Sequence, residues 1–147
     1  MRAEVGESMI KKFDHVGIVV RNTEEVLSLF SKLFGFQISE SLDLPEQGFK
    51  STLISKEGVT FELIEPIGPE GIIQKFLEKR GEGIHHVSIQ TDDIDLEMKS
   101  LKANGAQLMS DKPHVPKGTS NKGAFIHPRS TNGILIELIQ RSQKAEK

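Results

Sequence analysis

The octapeptide FDHVGIVV at residues 13–20 returns 71 residues later as IHHVSIQT at residues 84–91. Both copies alternate apolar with other side chains, which is the pattern of a β-strand with one face in a hydrophobic core. Residues i and i+2 of a strand share a face, so each histidine, His15 or His86, lies opposite the valine that follows it. The repeat predicts two equivalent strands, each with a histidine on the face away from its core.

The segments that follow these strands repeat as well. Amphipathic stretches at residues 24–33 and 95–103 predict one helix in each half. Gly35 and Gly105 stand where the two helices should end, because glycine readily takes the left-handed conformation of a residue just beyond a helix. The spacing between the two halves is therefore kept through the helices.

A second strand motif carries one acidic residue in each half. Glu62 lies within the apolar stretch 59–64, and Glu137 lies within the apolar stretch 133–139. Further strands are predicted between each helix and this motif, separated by Gly and Pro turns, at residues 36–42, 50–55, 106–109 and 123–127. Each half is therefore predicted to have the order β-α-β-β-β.

The chain has 147 residues, which is the length of one compact α+β domain made of two tandem modules. An apolar cluster predicts a short helix between the modules, formed by Ile72, Ile73, Phe76 and Leu77. The predicted boundaries are a polar leader at 1–12, one domain at 13–140 with module one at 13–66, a linker at 67–83 and module two at 84–140, and a polar tail at 141–147.

Composition excludes several classes of function. Nineteen basic against 21 acidic residues give a net charge of −2, which argues against a nucleic-acid partner. No apolar run approaches the roughly 20 residues of a spanning helix, so no membrane partner is expected. The first twelve residues lack the apolar core of a signal peptide, which predicts a cytoplasmic location. The chain has no cysteine, so any metal site must use nitrogen and oxygen ligands.

The four repeated polar side chains are His15, Glu62, His86 and Glu137, and they predict a metal site. A lone carboxylate buried among Leu and Ile costs several kcal/mol unless it is paired or coordinated. If the halves pack about a pseudo-twofold axis, two imidazoles and two carboxylates would neutralise one divalent cation such as Zn, Co, Ni or Mn. The alternative is two His–Glu hydrogen-bonded pairs without a metal ion.

Six motifs occur in one order along residues 13–140: FDHVGIVV, LPEQG, FELIEP, GIHHVSI, FIHP and LIEL. In this the chain resembles the vicinal oxygen chelate superfamily, also called the glyoxalase fold, and within it the methylmalonyl-CoA epimerases. The resemblance implies a curved mixed sheet around a metal-binding cleft. It also implies His15, Glu62, His86 and Glu137 as metal ligands, with His86 preferred to His85 because His86 matches His15 in the strand pattern.

An epimerase of this kind transfers a proton at one carbon beside a thioester, through an enolate whose charge a metal ion stabilises. The resemblance implies Glu46, in LPEQG, and Glu137 as the two acid/base groups, an acyl-CoA-like substrate and a homodimer. From the residues alone, Glu46 reads equally well as an exposed loop carboxylate. The segment 118–123 departs from the epimerase pattern, which leaves the acyl specificity and the coenzyme A contacts open.

Other functions of the same fold stay open. A glyoxalase I-like lyase uses similar ligands, but its usual tyrosine-containing turn before the last ligand strand is replaced here by HPRSTNG at 127–133, and the chain has no tyrosine. An extradiol dioxygenase needs two histidines and only one carboxylate. A binding or sequestering protein of this fold generally lacks the metal ligands. Of the remaining histidines, His127 is expected to anchor a turn and His114 to be exposed.

Overall fold

A computed structural model of the protein describes residues 10–142. The chain forms two compact units, one of residues His15–His85 and one of residues 10–14 with 86–142. Both mix strands and helices, which confirms the predicted α+β class. None of the helices in the described range is long and apolar enough to cross a membrane.

The unit His15–His85 holds the complete predicted β-α-β-β-β order. Its elements are β1 (Ile10–Val19, from His15 onward), α1 (Thr23–Phe34), β2 (Gln37–Leu44), a 3₁₀ turn (Pro45–Gln47), β3 (Phe49–Lys56), β4 (Val59–Pro66) and α2 (Ile72–Arg80). The strands lie side by side in the order β2-β3-β4-β1, with β1 and β4 parallel and the other pairs antiparallel. A parallel β1–β4 pair at the edge of a hairpin brings the first and last strands of the module together.

Helix α1 covers one face of these strands. The side chain of Asn22 accepts a hydrogen bond from the Glu25 amide (3.0 Å) and caps the N-terminus, and Gly35 ends the helix at φ +82°. The apolar side of α1 packs on a core of Val20, Phe36, Ile54 and Leu63. The predicted helix and its terminal glycine are therefore confirmed, and the helix is one residue longer at each end.

Helix α2 covers part of the opposite face. Its Ile73 packs with Val19 and Ile64, and Phe49, Phe76 and Leu77 surround this second core. Val19 lies four residues after His15 on β1, so it shares a face with that histidine. The predicted linker helix is present and lies on the same side of the strands as the candidate site.

The other unit holds β5 (Gly83–Thr91, from His86 onward), α3 (Ile94–Ala103), β6 (Lys122–Ile126), a 3₁₀ turn (Pro128–Ser130) and β7 (Ile136–Gln140). Its strands are ordered β5-β7-β6, with β5 parallel and β6 antiparallel to β7. Asp93 caps α3, and Gly105 takes the expected left-handed φ of +88°. The core consists of Ile94, Met98, Ala124, Ile126 and Leu138.

The predicted strand at 106–109 was wrong. It is reduced to one bridge between Leu108 and Ile126, because the amide of Ala106 bonds to the end of α3 and the amide of Gln107 bonds to the Ser130 hydroxyl. The strand predicted at 133–139 also starts later, at Ile136. A turn with two left-handed residues, Asn132 and Gly133, extends into the first position of the predicted strand.

The predicted ends of the domain differ in detail. Strand β1 begins at Ile10 and so takes in the last three residues of the predicted leader, whose residues 1–9 lie outside the described range. Arg141, assigned to the polar tail, donates two hydrogen bonds to Asp14 (3.1 and 2.7 Å). The tail residues 143–147 lie outside the described range as well.

Candidate functional site

The first candidate pair is His15 on β1 and Glu62 on β4. Gly17 stands opposite Glu62 in the parallel register, and His15 precedes Gly17 by two residues, so all three share one face of the sheet. His15 Nε2 lies 3.3 Å from Glu62 Oε1, and the two side chains are 4% and 16% exposed. An imidazole and a carboxylate thus meet in a site that is almost closed to water.

A serine completes this pair. Ser51 on β3 donates a hydrogen bond from its hydroxyl to Glu62 Oε2 at 2.6 Å, while Glu62 Oε1 is the oxygen nearer His15. Each oxygen of the carboxylate therefore has its own neighbour, and the carboxylate plane is fixed from both sides. A carboxylate held in this way is oriented before any ligand arrives.

The second candidate pair, His86 on β5 and Glu137 on β7, has the same construction. Ser88 stands opposite Glu137, and His86 precedes Ser88 by two residues, as His15 precedes Gly17. His86 Nε2 lies 3.6 Å from Glu137 Oε1, and the side chains are 4% and 13% exposed. The sequence repeat therefore produces the same His–Glu geometry in each unit.

Strand alternation decides which of the adjacent histidines, His85 or His86, lies beside Glu137. His86 lies beside Glu137, and its ring meets the ring of Phe125 edge-on at 5.5 Å. His85 belongs to the other unit, where its ring packs against Phe76 at 5.0 Å. His85 and His86 thus have different surroundings, as expected of successive residues on a strand.

Glu46 is placed by a tight turn. It lies in the 3₁₀ turn between β2 and β3, after the buried Leu44, and its side chain is exposed. Gly48 closes the turn at φ +84°, and its carbonyl accepts a hydrogen bond from the Ile67 amide at 2.8 Å. A Cβ at Gly48 would stand 3.1 Å from the Glu70 carbonyl oxygen, so the turn packs closely on the chain that leads into α2.

Comparison with known proteins identifies the family of the chain. The family model described as the glyoxalase/bleomycin resistance protein/dioxygenase superfamily matches residues 14–125. The chain belongs to this superfamily. The match spans both His–Glu strands of the N-terminal half and most of the second half, so the predicted resemblance and the glyoxalase-like fold are confirmed.

Several relatives of the chain carry epimerase names. A Dictyostelium discoideum protein named methylmalonyl-CoA epimerase, mitochondrial, is 33% identical over 139 residues, which is 93% of this chain and 82% of that one. A Cereibacter sphaeroides protein named ethylmalonyl-CoA/methylmalonyl-CoA epimerase is 33% identical over 90% of this chain and 99% of its own length. The crystal structure of methylmalonyl-CoA epimerase from Mycobacterium tuberculosis matches with a TM-score of 0.86 at 26% identity, covering 95% of this chain and 94% of that one.

Two further histidines of this superfamily member behave as expected. The ring nitrogen Nδ1 of His127 accepts a hydrogen bond from the Arg129 amide at 3.0 Å and caps the turn before β7, so His127 anchors that turn. His114 is exposed, as predicted. Its ring is nevertheless ordered, because it stacks on Phe125 with an interplanar angle of 7°.

The sequence interpretation missed the groups around the carboxylates. Ser51 was part of a predicted strand, but nothing in its surroundings marked it, because its role depends on standing beside Glu62 across the β3–β4 ladder. For His114 the sequence predicts only exposure. Strand register supplies the missing signal: a polar residue two positions from the residue opposite a carboxylate shares its face and is within reach of it.

Proposed function

We propose that the protein is a metal-dependent epimerase of the methylmalonyl-CoA type. The observation that carries the proposal is the presence in each unit of one pair of a buried histidine and a largely buried glutamate, built in the same register. The relatives from Dictyostelium discoideum and Cereibacter sphaeroides, whose names give this activity, support the substrate class. The Cereibacter name includes ethylmalonyl-CoA, so the proposed substrate class is a 2-alkylmalonyl thioester of coenzyme A.

We propose His15, Glu62, His86 and Glu137 as the ligands of one divalent ion. The donor set fits such an ion, since two imidazole nitrogens and two carboxylates supply the ligand types that Zn, Co, Ni and Mn accept and cancel its charge. Burial supports the same assignment, because carboxylates only 16% and 13% exposed are costly without a compensating cation or a full set of donors. When bound, a divalent cation supplies Lewis-acid stabilisation of negative charge that develops on the thioester oxygen.

The proton transfer is assigned to Glu46 and Glu137. Epimerisation needs one group to remove the proton on carbon and a second group, on the other face, to return one. Glu46 is exposed on a tight turn that Gly48 closes. An exposed carboxylate at a defined position suits a base that must reach an incoming substrate. Glu137 occupies in its unit the position that Glu62 occupies in the other. We assign the second acid/base role to Glu137, in addition to metal binding.

Exchange of the substrate's α-proton with solvent tests this function. The metal-loaded protein is mixed in deuterium oxide with a single epimer of methylmalonyl-CoA, and both epimerisation and deuterium wash-in at the α-carbon are followed. Glu46→Gln is expected to abolish at least one of the two proton transfers while the metal content stays unchanged. Glu40→Gln is the matched control, because Glu40 is an exposed carboxylate on β2. Full activity of Glu46→Gln would remove Glu46 from the mechanism.

The same preparation is offered the methylglyoxal–glutathione adduct, which is the substrate of a glyoxalase I-like lyase. Turnover of this adduct with none of the thioester would replace the epimerase proposal by the lyase. Turnover of neither, with tight binding of a small ligand, would favour a sequestering protein.

The remaining expectations stay predictions. We propose that residues 13–140 form one glyoxalase-fold domain, and that the protein is a cytoplasmic homodimer. The apolar side chains in and just after α1 divide between core and surface: Leu27, Phe30 and Phe36 pack in the core, whereas Phe34 is 56% exposed. Sedimentation equilibrium of the full chain measures the dimer, and a monomer at all concentrations would exclude it.

A further inference from the structure

The two carboxylates of the repeat differ in what stands beside their second oxygen. In the unit His15–His85, Glu62 faces Leu53 across the ladder, and Ser51 stands two residues from Leu53 on the same face. From that place the Ser51 hydroxyl reaches Glu62 Oε2 at 2.6 Å. The first pair thus has a built-in hydrogen-bond donor.

In the other unit the corresponding place carries no side chain. Glu137 faces Phe125 across the ladder, and the residue two positions from Phe125 on the same face is Gly123. A Cβ built there would stand 3.1 Å from His114 Nε2 and 3.4 Å from Glu137 Oε2. The imidazole of His114 and the carboxylate of Glu137 therefore both border the position where this Cβ would stand.

His114 is held in this space by the backbone and by a ring. Its amide and carbonyl exchange two hydrogen bonds of 2.9 Å with Gly123, so the two residues stand directly opposite and their side-chain positions share a face. Its ring stacks on Phe125 at a centroid distance of 6.2 Å, and Phe125 in turn meets the ring of His86. His114 is therefore held both through its backbone and through its ring, which is unusual for an exposed loop histidine.

We infer that His114 is a positioning residue for Glu137 and takes the part that Ser51 plays for Glu62. Its ring nitrogen serves as the polar partner of Glu137 Oε2, which leaves Oε1 for the side that faces His86. Gly123 leaves room for the imidazole, because a Cβ at this position would stand only 3.1 Å from His114 Nε2. The consequence for catalysis rests on the proposed function, but the contact between His114 and Glu137 does not.

Nuclear magnetic resonance of the metal-free chain, with labelled histidine and at one fixed pH, tests the contact itself. The ring signals of His114 are assigned by their loss in His114→Asn. Glu137→Gln is expected to shift them, and Glu62→Gln, the matched change in the other unit, is expected to leave them in place. If the chemical shifts of the His114 ring do not change in Glu137→Gln, the inference is overturned, whether or not the protein is an epimerase.

A transplant experiment tests the positioning role. His114→Ala is expected to lower Co²⁺ affinity by about ten-fold, the usual effect of losing a partner of a metal ligand, to change the visible spectrum of bound Co²⁺, and to lower kcat more than it changes KM. Adding Gly123→Ser to His114→Ala places a hydroxyl at the position that corresponds to Ser51 in the other unit. The imidazole that would crowd this side chain is absent from the double variant. The double variant should therefore recover both spectrum and affinity.

Val115→Ala is the control, because Val115 is the exposed neighbour of His114. Single and double variants with equal defects would show that His114 supports only the loop, and a His114→Ala protein with wild-type Co²⁺ affinity and spectrum would refute the positioning role. If the wild-type chain binds Co²⁺ but turns over no thioester, the proposed function fails while affinity and spectrum still report on His114. If it binds no Co²⁺, the metal assignment fails and the ring signals alone decide.

Discussion

Removing the Arg141 guanidinium should destabilise the protein far more than its place near the chain end suggests. Arg141 donates from Nε and Nη2 to the two oxygens of Asp14 at 3.1 and 2.7 Å, and Gln90 donates to Asp14 Oδ1 at 2.7 Å. The Asp14 side chain is 5% exposed and that of Arg141 is 28% exposed. In Arg141→Ala this buried carboxylate keeps its charge but loses its cation.

The magnitude lies between two known limits. Breaking a fully buried pair costs about 3–5 kcal/mol, and a surface pair is worth about 0–1 kcal/mol. Because Arg141 is partly solvated and Gln90 remains, we expect Arg141→Ala to lower the free energy of unfolding by roughly 2–4 kcal/mol. For a chain of this length that corresponds to a fall in Tm of roughly 5–15 °C.

Urea unfolding followed by circular dichroism measures this change as a shift in midpoint at constant m-value. Arg141→Lys keeps the charge but not the two-pronged geometry, so its loss should be intermediate. Lys102→Ala is the control, because its ion pair with Asp111 is 3.6 Å long and largely exposed, and no measurable change is expected. An Arg141→Ala protein within about 0.5 kcal/mol of wild type would refute the reasoning.

Two further changes probe the turn and the first carboxylate. Gly48→Ala should lower the free energy of unfolding by roughly 1–3 kcal/mol, since φ is +84° and a backbone carbonyl oxygen lies 3.1 Å from the new Cβ. Gly58→Ala is the control and should cost less, because Gly58 has a φ of +82° but open space around it. Equal losses in urea unfolding would contradict the close packing of the turn. Ser51→Ala should weaken metal binding about ten-fold by removing the hydrogen bond that the hydroxyl donates to Glu62. An unchanged affinity in calorimetric titration would show that the hydroxyl has no such role.

The repeat made the arrangement within each unit predictable from the sequence. Strand alternation put His15 and His86 on the faces away from α1 and α3, and the faces of Glu62 and Glu137 followed from the same two-residue period, because this alternation is a local property of each strand. The helix ends were predictable for a similar reason. Gly35 and Gly105 both take the left-handed conformation that ends a helix.

What the sequence did not predict depends on contacts between distant residues. The segment 106–109 alternates like a strand, but the amide of Ala106 bonds to the Leu101 carbonyl and the amide of Gln107 bonds to the Ser130 hydroxyl. These partners lie outside the segment, so its own sequence does not predict them. Arg141 reads as the start of a polar tail because its partner, Asp14, lies 127 residues away. The contact of His114 with its glycine depends on a backbone bridge across a loop, which no periodicity encodes.

The metal content of the purified full chain tests the central claim most directly. The protein is saturated with Co²⁺ or Zn²⁺, dialysed, and analysed by plasma mass spectrometry beside His15→Ala and His86→Ala. We predict one ion per chain for the wild type and its loss in either variant, because both histidines are proposed to hold the same ion. No bound ion, or two ions per chain of which each variant loses only one, would contradict a single shared metal site.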